Sequence, residues 1–145
     1  MSSAKGATMA SDVHSELGLD ARGIGLAITA SDFQKSLVWY QSVLGFKVDR
    51  PYVRDGQTVG AAIVAGGARI SLNQDDGKKG ANRVKGQGMA IYFNTAQDVD
   101  QLAARASAAG ATIHEGPSDK AWGVRSFSIT DPDGFAITVQ RPLGA

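Results

Sequence analysis

Residues 23–46, GIGLAITASDFQKSLVWYQSVLGF, decide the fold. Ile24, Leu26 and Ile28 alternate with Gly25, Ala27 and Thr29, the period-two pattern of a strand with one apolar face. Ser31 follows as a candidate helix cap, with Gln34 three residues on as in a capping box. Phe33, Leu37, Tyr40 and Leu44 then recur on one helical face, and Gly45 supplies a left-handed stop.

Working outward, residues 46–53, 58–64 and 68–73 read as three strands, with Asp55-Gly56 and Gly66-Gly67 as the turns between them. The order is βαβββ. It returns about 65 residues later, which marks an internal duplication. Met89, Ile91 and Phe93 alternate with Ala90, Tyr92 and Asn94. Thr95 is the candidate cap of a helix carrying Val99, Leu102, Ala103 and Ala106 on one face, closed by Gly110. Strand-like runs follow at 111–115, 124–130 and 135–140, with Asp131-Pro132-Asp133-Gly134 as a turn.

Three segments complete the organisation. Residues 1–22, rich in Ser, Ala and Gly, read as a flexible tail, with one potential helical turn at 11–17. Residues 23–142 form a single domain of two units, 23–74 and 87–142. The polar, glycine-bearing stretch 75–86 reads as a mobile linker. A four-stranded sheet with one helix has only one face covered, so its other face must meet a partner or a ligand. The expectation is an α+β fold: two tandem βαβββ units forming a curved mixed sheet around a shared cleft, with helices outside.

Composition narrows the function. The chain has 145 residues, enough to bury roughly 68–70% of its unfolded surface in one domain. With no cysteine, disulfides, thiolate metal sites and cysteine nucleophiles are excluded, which fits a reducing cytoplasm. The net charge is +1 with dispersed basic residues, so nucleic acid is not an expected partner. No apolar run reaches membrane-spanning length, and the N-terminal stretch lacks a signal-peptide core.

The ordered landmarks carry a resemblance. Ser31-Asp32, Ser36, Trp39-Tyr40 and Leu44-Gly45-Phe46 mark the first half. Asp98-Val99-Asp100, Gly110-Ala111, Trp122-Gly123-Val124-Arg125 and Asp131-Pro132-Asp133-Gly134 mark the second. Together they resemble the vicinal oxygen chelate superfamily, the glyoxalase/bleomycin-resistance/dioxygenase proteins, over about residues 23–142. The resemblance implies one divalent metal in the enzymes, held by His, Glu or Gln at four cleft positions. It also implies dimers, with clefts often completed by both subunits. By alternation those positions here are Gly25, Ser71, Ala90 and Thr138. Gly and Ala offer no donor atom, and neutral hydroxyls are poor ligands for Zn, Fe or Mn. Only His14 and His114 exist as histidines, one in the tail and one in a strand.

The expected function is therefore metal-independent, cofactor-free binding of a small molecule, with antibiotic sequestration as the concrete form. The alternative is a glyoxalase-like lyase, isomerase or dioxygenase, metal-free or with atypical ligands; the third reading is an interaction module. No catalytic residue stands out. The expected ligand contacts are Tyr52, Arg69, Asn73, Tyr92, Trp122, Arg125 and Thr138. Tyr92 and Trp122 offer flat aromatic faces, and the arginines favour a neutral or anionic aromatic ligand. The expected assembly is a homodimer.

Overall fold

In a computed structural model of the chain, residues 17–80 and 82–144 are described. The possible turn at 11–17 and His14 fall, apart from Leu17, outside the described residues. The elements run β1 (Leu26–Ala30), α1 (Phe33–Leu44), β2 (Lys47–Arg54), β3 (Gln57–Ala65) and β4 (Ala68–Gln74) in the first unit. The second has β5 (Ala90–Asn94), α2 (Val99–Ala108), β6 (Glu115–Asp119), β7 (Val124–Thr130) and β8 (Ala136–Pro142). Each unit makes one mixed sheet, ordered β1-β4-β3-β2 and β5-β8-β7-β6. β1 lies parallel to β4 and β5 parallel to β8; the other pairs are antiparallel. The duplicated α+β architecture is the one expected.

Local chemistry moves both helix starts. Asp32, not Ser31, caps α1: its backbone is extended, and its carboxylate accepts from the Lys35 N–H at 3.1 Å. Ser31 is engaged elsewhere, its N–H on Asp133 and its hydroxyl accepting from Lys85 Nζ. Asp98, not Thr95, caps α2, accepting from the N–H groups of Asp100 and Gln101. The Thr95 hydroxyl instead closes a short turn by accepting from the Gln97 N–H at 3.1 Å. Gly45 ends α1 at φ 78°, its N–H on Gln41 O and that of Phe46 on Tyr40 O. β6 begins at Glu115 rather than 111, because Ala111 and Ile113 pack against the core without a ladder partner.

Each helix covers the apolar face of its own sheet, and the two helices also pack on each other. One core results, from Ile28, Ile63, Ile70 and Leu72 through Tyr40 and Val43 to Val99, Phe127, Ile129 and Ile137. Phe46 and Phe93 meet across the units with ring centroids 5.7 Å apart. No strand of one sheet pairs with a strand of the other, so the two open faces belong to separate four-stranded sheets.

The units are also locked at one end. Buried Tyr40 in α1 donates to Asp131 Oδ2 at 2.8 Å, while Asp131 Oδ1 accepts the N–H groups of Asp133 and Phe135, each at 2.9 Å. Burial raises the pKa of Asp131, and these hydrogen bonds pull it back. Burial, then the adjoining carboxylate, also raises that of Tyr40, which stays a neutral donor. The stretch between units, expected to be a mobile linker, is pinned here. Lys85 Nζ pairs with Asp75 at 2.9 Å with both side chains nearly covered (6% and 12% exposed).

Ser36 is the exception among the buried polar groups. It lies in α1 against the core, and its hydroxyl has no hydrogen-bond partner. Ser36→Ala removes an unsatisfied hydroxyl and improves helix propensity. It is expected to stabilise the fold by about 1 kcal/mol, measured by urea unfolding.

Candidate functional site

Strand register fixes what each open face displays. On the first sheet Ala27 pairs with Ser71 and Thr29 with Asn73. Ala62 and Gly60 on β3 lie opposite Ser71 and Asn73, and Arg50 and Tyr52 on β2 lie opposite Ala62 and Gly60. These side chains form one network. Ser71 Oγ donates to Tyr52 Oη at 3.3 Å, and Asn73 Nδ2 donates to Ser71 Oγ at 3.3 Å. Gly60 makes room for it: a Cβ there would stand 2.6 Å from Leu72 O, 3.0 Å from Asn73 Oδ1 and 3.1 Å from the Tyr52 ring. The Arg50 guanidinium sits 5.9 Å from the Tyr52 ring centroid. Arg69 pairs with Asp49 at 2.8 Å, but both side chains are about half exposed, so the pair adds little stability.

On the second sheet Tyr92 pairs with Thr138, and Asn94 with Gln140. Thr138 and Ser128 share a hydrogen bond of 3.0 Å, and Gln140 donates to Asn94 at 2.8 Å. Tyr92 stands 56% exposed, a large aromatic ring with its face open. Ala27, Ala90 and Ala136 are exposed as well, so both faces have room above small side chains.

The expected contacts thus divide. Tyr52, Arg69 and Asn73 share the first face; Tyr92 and Thr138 share the second. Trp122, 71% exposed, projects from the turn between β6 and β7, where Gly123 O accepts from Leu143 N–H. Arg125 requires a correction. It shares strand parity with Phe127 and Ile129, so it points to the helix side, away from Thr138. There it is gripped by Asp100 on α2 and Asp119 on β6, each at 3.0 Å. Hydrogen bonds to Asp100, then Asp119, raise its pKa further. Arg50, Gly60 and Ser128 belong to the open faces and were missed. For Ser128 the signal was present, since it alternates with buried Phe127 and Ile129.

The four positions implied for a metal do not fit one. Gly25 precedes β1, and Ala90 opens β5 opposite Ala136; neither carries a donor. The hydroxyls of Ser71 and Thr138 are neutral and already hydrogen-bonded to neighbours. Among the described residues no three His, Cys, Asp or Glu side chains cluster as a metal site would require. His114 is exposed just before β6. No helix among the described residues is long and apolar enough to cross a membrane.

A further hollow, lined also by Tyr92 and Asn94 of the second face, lies at the unit boundary. A groove of ≈ 790 Å³ runs between the end of α1, the β3–β4 turn, and the end of β5 with the start of α2. Its floor includes Phe46, Phe93 and Leu102, and Arg105 stands on its wall.

Two helix-backed βαβββ sheets with open faces of hydroxyls, amides and tyrosines define a paired-βαβββ protein of the kind that binds small molecules or metals on those faces. The chain belongs to the Glyoxalase/Bleomycin resistance protein/Dioxygenase superfamily, whose family model matches residues 25–139. Solved structures agree in fold. A virulence protein from Salmonella typhimurium shares 27% identity at TM-score 0.66, covering 87% of this chain and all of its own. TioX from Micromonospora sp. ML1 shares 23% at 0.66, covering 83% of this chain and 100% of its own. TnmS3 from Streptomyces sp. CB03234, described as an antibiotic binding protein, shares 23% at 0.65, covering 86% and 99%. A comparison with curated proteins gives no match.

Proposed function

We propose that this protein binds an aromatic small molecule, without a metal, between the first sheet of one protomer and the second sheet of its partner. The observation that carries this is the chemistry of the two faces: positions that would hold a metal bear Gly, Ala, Ser and Thr, while Tyr52 and Tyr92 flank hydroxyls and amides. Flat rings and a few directional polar groups suit a planar ligand. The two faces belong to separate sheets, and pairing them across a homodimer gives each a second wall. Arg50 and Arg69 on the first face favour a neutral or anionic ligand. The antibiotic-binding description of the similarly folded TnmS3 supports sequestration of a natural product as the concrete form.

Thermal unfolding against a panel of aromatic natural products tests this. A ligand at 100 times its Kd stabilises by about 2.7 kcal/mol, which for a chain of this size is about 5–10 °C. The shift is expected to be the same in EDTA. Tyr92→Ala is expected to weaken binding about tenfold, the loss of one stacked ring. Silence across the whole panel, or a shift that EDTA abolishes, would overturn the proposal; so would stoichiometric metal in the purified protein.

A further inference from the structure

The hydrogen bonds on the first face run in one direction. The Asn73 Nδ2 group can only donate, and it donates to Ser71 Oγ and to Ser71 O, each at 3.3 Å. Ser71 Oγ, accepting there, gives its own proton to Tyr52 Oη at 3.3 Å. The Tyr52 oxygen therefore ends the chain as an acceptor, and its own proton has no acceptor among the described residues. A run of groups polarised in one sense strengthens its last donor. Tyr52 is also well placed. It starts on β2 and reaches Ser71 on β4, two strand spacings or roughly 9.6 Å away, so its side chain lies across β3. Gly60, its cross-strand partner, allows this, since a Cβ there would meet the ring at 3.1 Å. The O–H thus stands over the middle strands of the sheet rather than at its rim.

Positive charge is left over beside it. Arg69 is answered by Asp49 at 2.8 Å. Arg50, on the same face and two residues before Tyr52, has no carboxylate within ion-pair distance among the described residues. Its guanidinium lies 5.9 Å from the Tyr52 ring centroid, at the outer limit of a cation–π contact, so the ring holds it only weakly. Arg50 is exposed and can turn towards a ligand. The second face is built differently. There Thr138 pairs with Ser128 and Gln140 with Asn94, and Glu115, opposite Ser128, is held by Lys120 at 3.1 Å.

We infer that the first face reads the ligand's charge: the Tyr52 O–H, aimed by Asn73 through Ser71, and the Arg50 guanidinium together hold one anionic oxygen, the carboxylate or phenolate of an aromatic acid. The two donors act differently. Tyr52 needs only an acceptor oxygen, charged or not. Arg50 adds affinity only when that oxygen is ionised, because a hydrogen bond between two charged groups is roughly twice as strong as a neutral one. Asn73 is a positioning residue. Without its N–H, Ser71 Oγ is free to accept, and the Tyr52 proton turns back into the sheet. The inference rests on the aromatic site proposed above and adds to it the charge of the ligand and the atoms that sense it.

Three probes that share one ring test this: naphthoate, naphthamide and naphthylmethylammonium, each titrated into the full chain and followed by NMR chemical shifts. Naphthoate is expected to bind tightest, about fivefold over naphthamide, with the cation weakest. Arg50→Gln is expected to bring naphthoate down to the level of naphthamide, whose own affinity stays unchanged. Tyr52→Phe keeps the ring and is expected to weaken both oxygen-bearing probes about fivefold, but not the cation. Asn73→Leu is expected to show the same pattern, whereas general damage to the face would weaken all three probes and overturn the positioning role. Equal affinity for the three probes, or a preference for naphthoate that survives in Arg50→Gln, would overturn the charge reading and leave the aromatic site standing. Binding of none of them would remove both.

Discussion

Asp131→Ala is expected to destabilise the fold by about 3–5 kcal/mol, lowering Tm by about 10–15 °C. One carboxylate serves three buried donors, the Tyr40 hydroxyl and the N–H groups of Asp133 and Phe135. Alanine leaves all three without an acceptor, and these bonds join helix α1 of one unit to the β7–β8 turn of the other. Relief from burying a charge offsets only part of that loss. Tyr40→Phe deletes one bond and is expected to cost about 1.5–3 kcal/mol. In a double-mutant cycle the two changes are expected to be strongly non-additive, because each removes the same contact. Asp131→Asn keeps an acceptor for the two N–H groups and is expected to be milder than alanine. The pH dependence has a definite sign. Burial raises the folded pKa of Asp131 above its unfolded value, so the protonated form is favoured in the fold. Its contribution is fully present below the unfolded pKa and is lost as pH rises through the raised folded one. The stability of wild type relative to Asp131→Asn is therefore expected to increase as pH falls through that window. Urea unfolding at several pH values would show this, and a gap that changes the other way would contradict it.

Much of this fold was legible because it is written twice. Alternation around Ile28 and Ile91, the glycine stops at 45 and 110, and the turn at 131–134 each have a local cause that needs no tertiary information. The helix caps were harder, since Ser31 and Asp32 are both good cap residues. What decides between them is that Ser31 is drawn into contacts with Lys85 and Asp133, which are distant in sequence. The same kind of distant contact pins the segment around Lys85, which from composition alone reads as a free linker. For the candidate site, parity revealed which residues share a face, and Tyr52, Asn73, Tyr92 and Thr138 follow it. Parity also contained the answer for Arg125, two residues from Phe127 on the helix side. How two units dock is a property of packing between helices α1 and α2, and no strand pattern encodes it. Hence strand parity names the residues of each open face, but not which second face stands opposite it across a ligand.

The proposed two-protomer cleft makes a large and specific effect accessible by mixing variants. Ala27, on the edge strand β1 beside Ser71, and Ala136, at the start of β8 between Ala90 and Thr130, are exposed small residues on the first and second open faces. Tryptophan at either position fills the space above its sheet while leaving the core untouched, so Ala27→Trp and Ala136→Trp are each expected to weaken ligand binding by about 100-fold or more. Now consider a dimer with one chain of each kind. One of its two clefts combines both blocked faces. The other combines the two intact ones. Unfolding and refolding an equal mixture yields heterodimers as about half of all dimers, so about a quarter of the clefts regain full affinity. Titration calorimetry reads this as a recovered stoichiometry at native Kd, whereas neither variant alone shows it. If each cleft were built by a single chain, mixing would restore nothing. Recovery of the quarter would assign Tyr52, Ser71 and Asn73 to one protomer's side of the ligand and Tyr92 and Thr138 to its partner's.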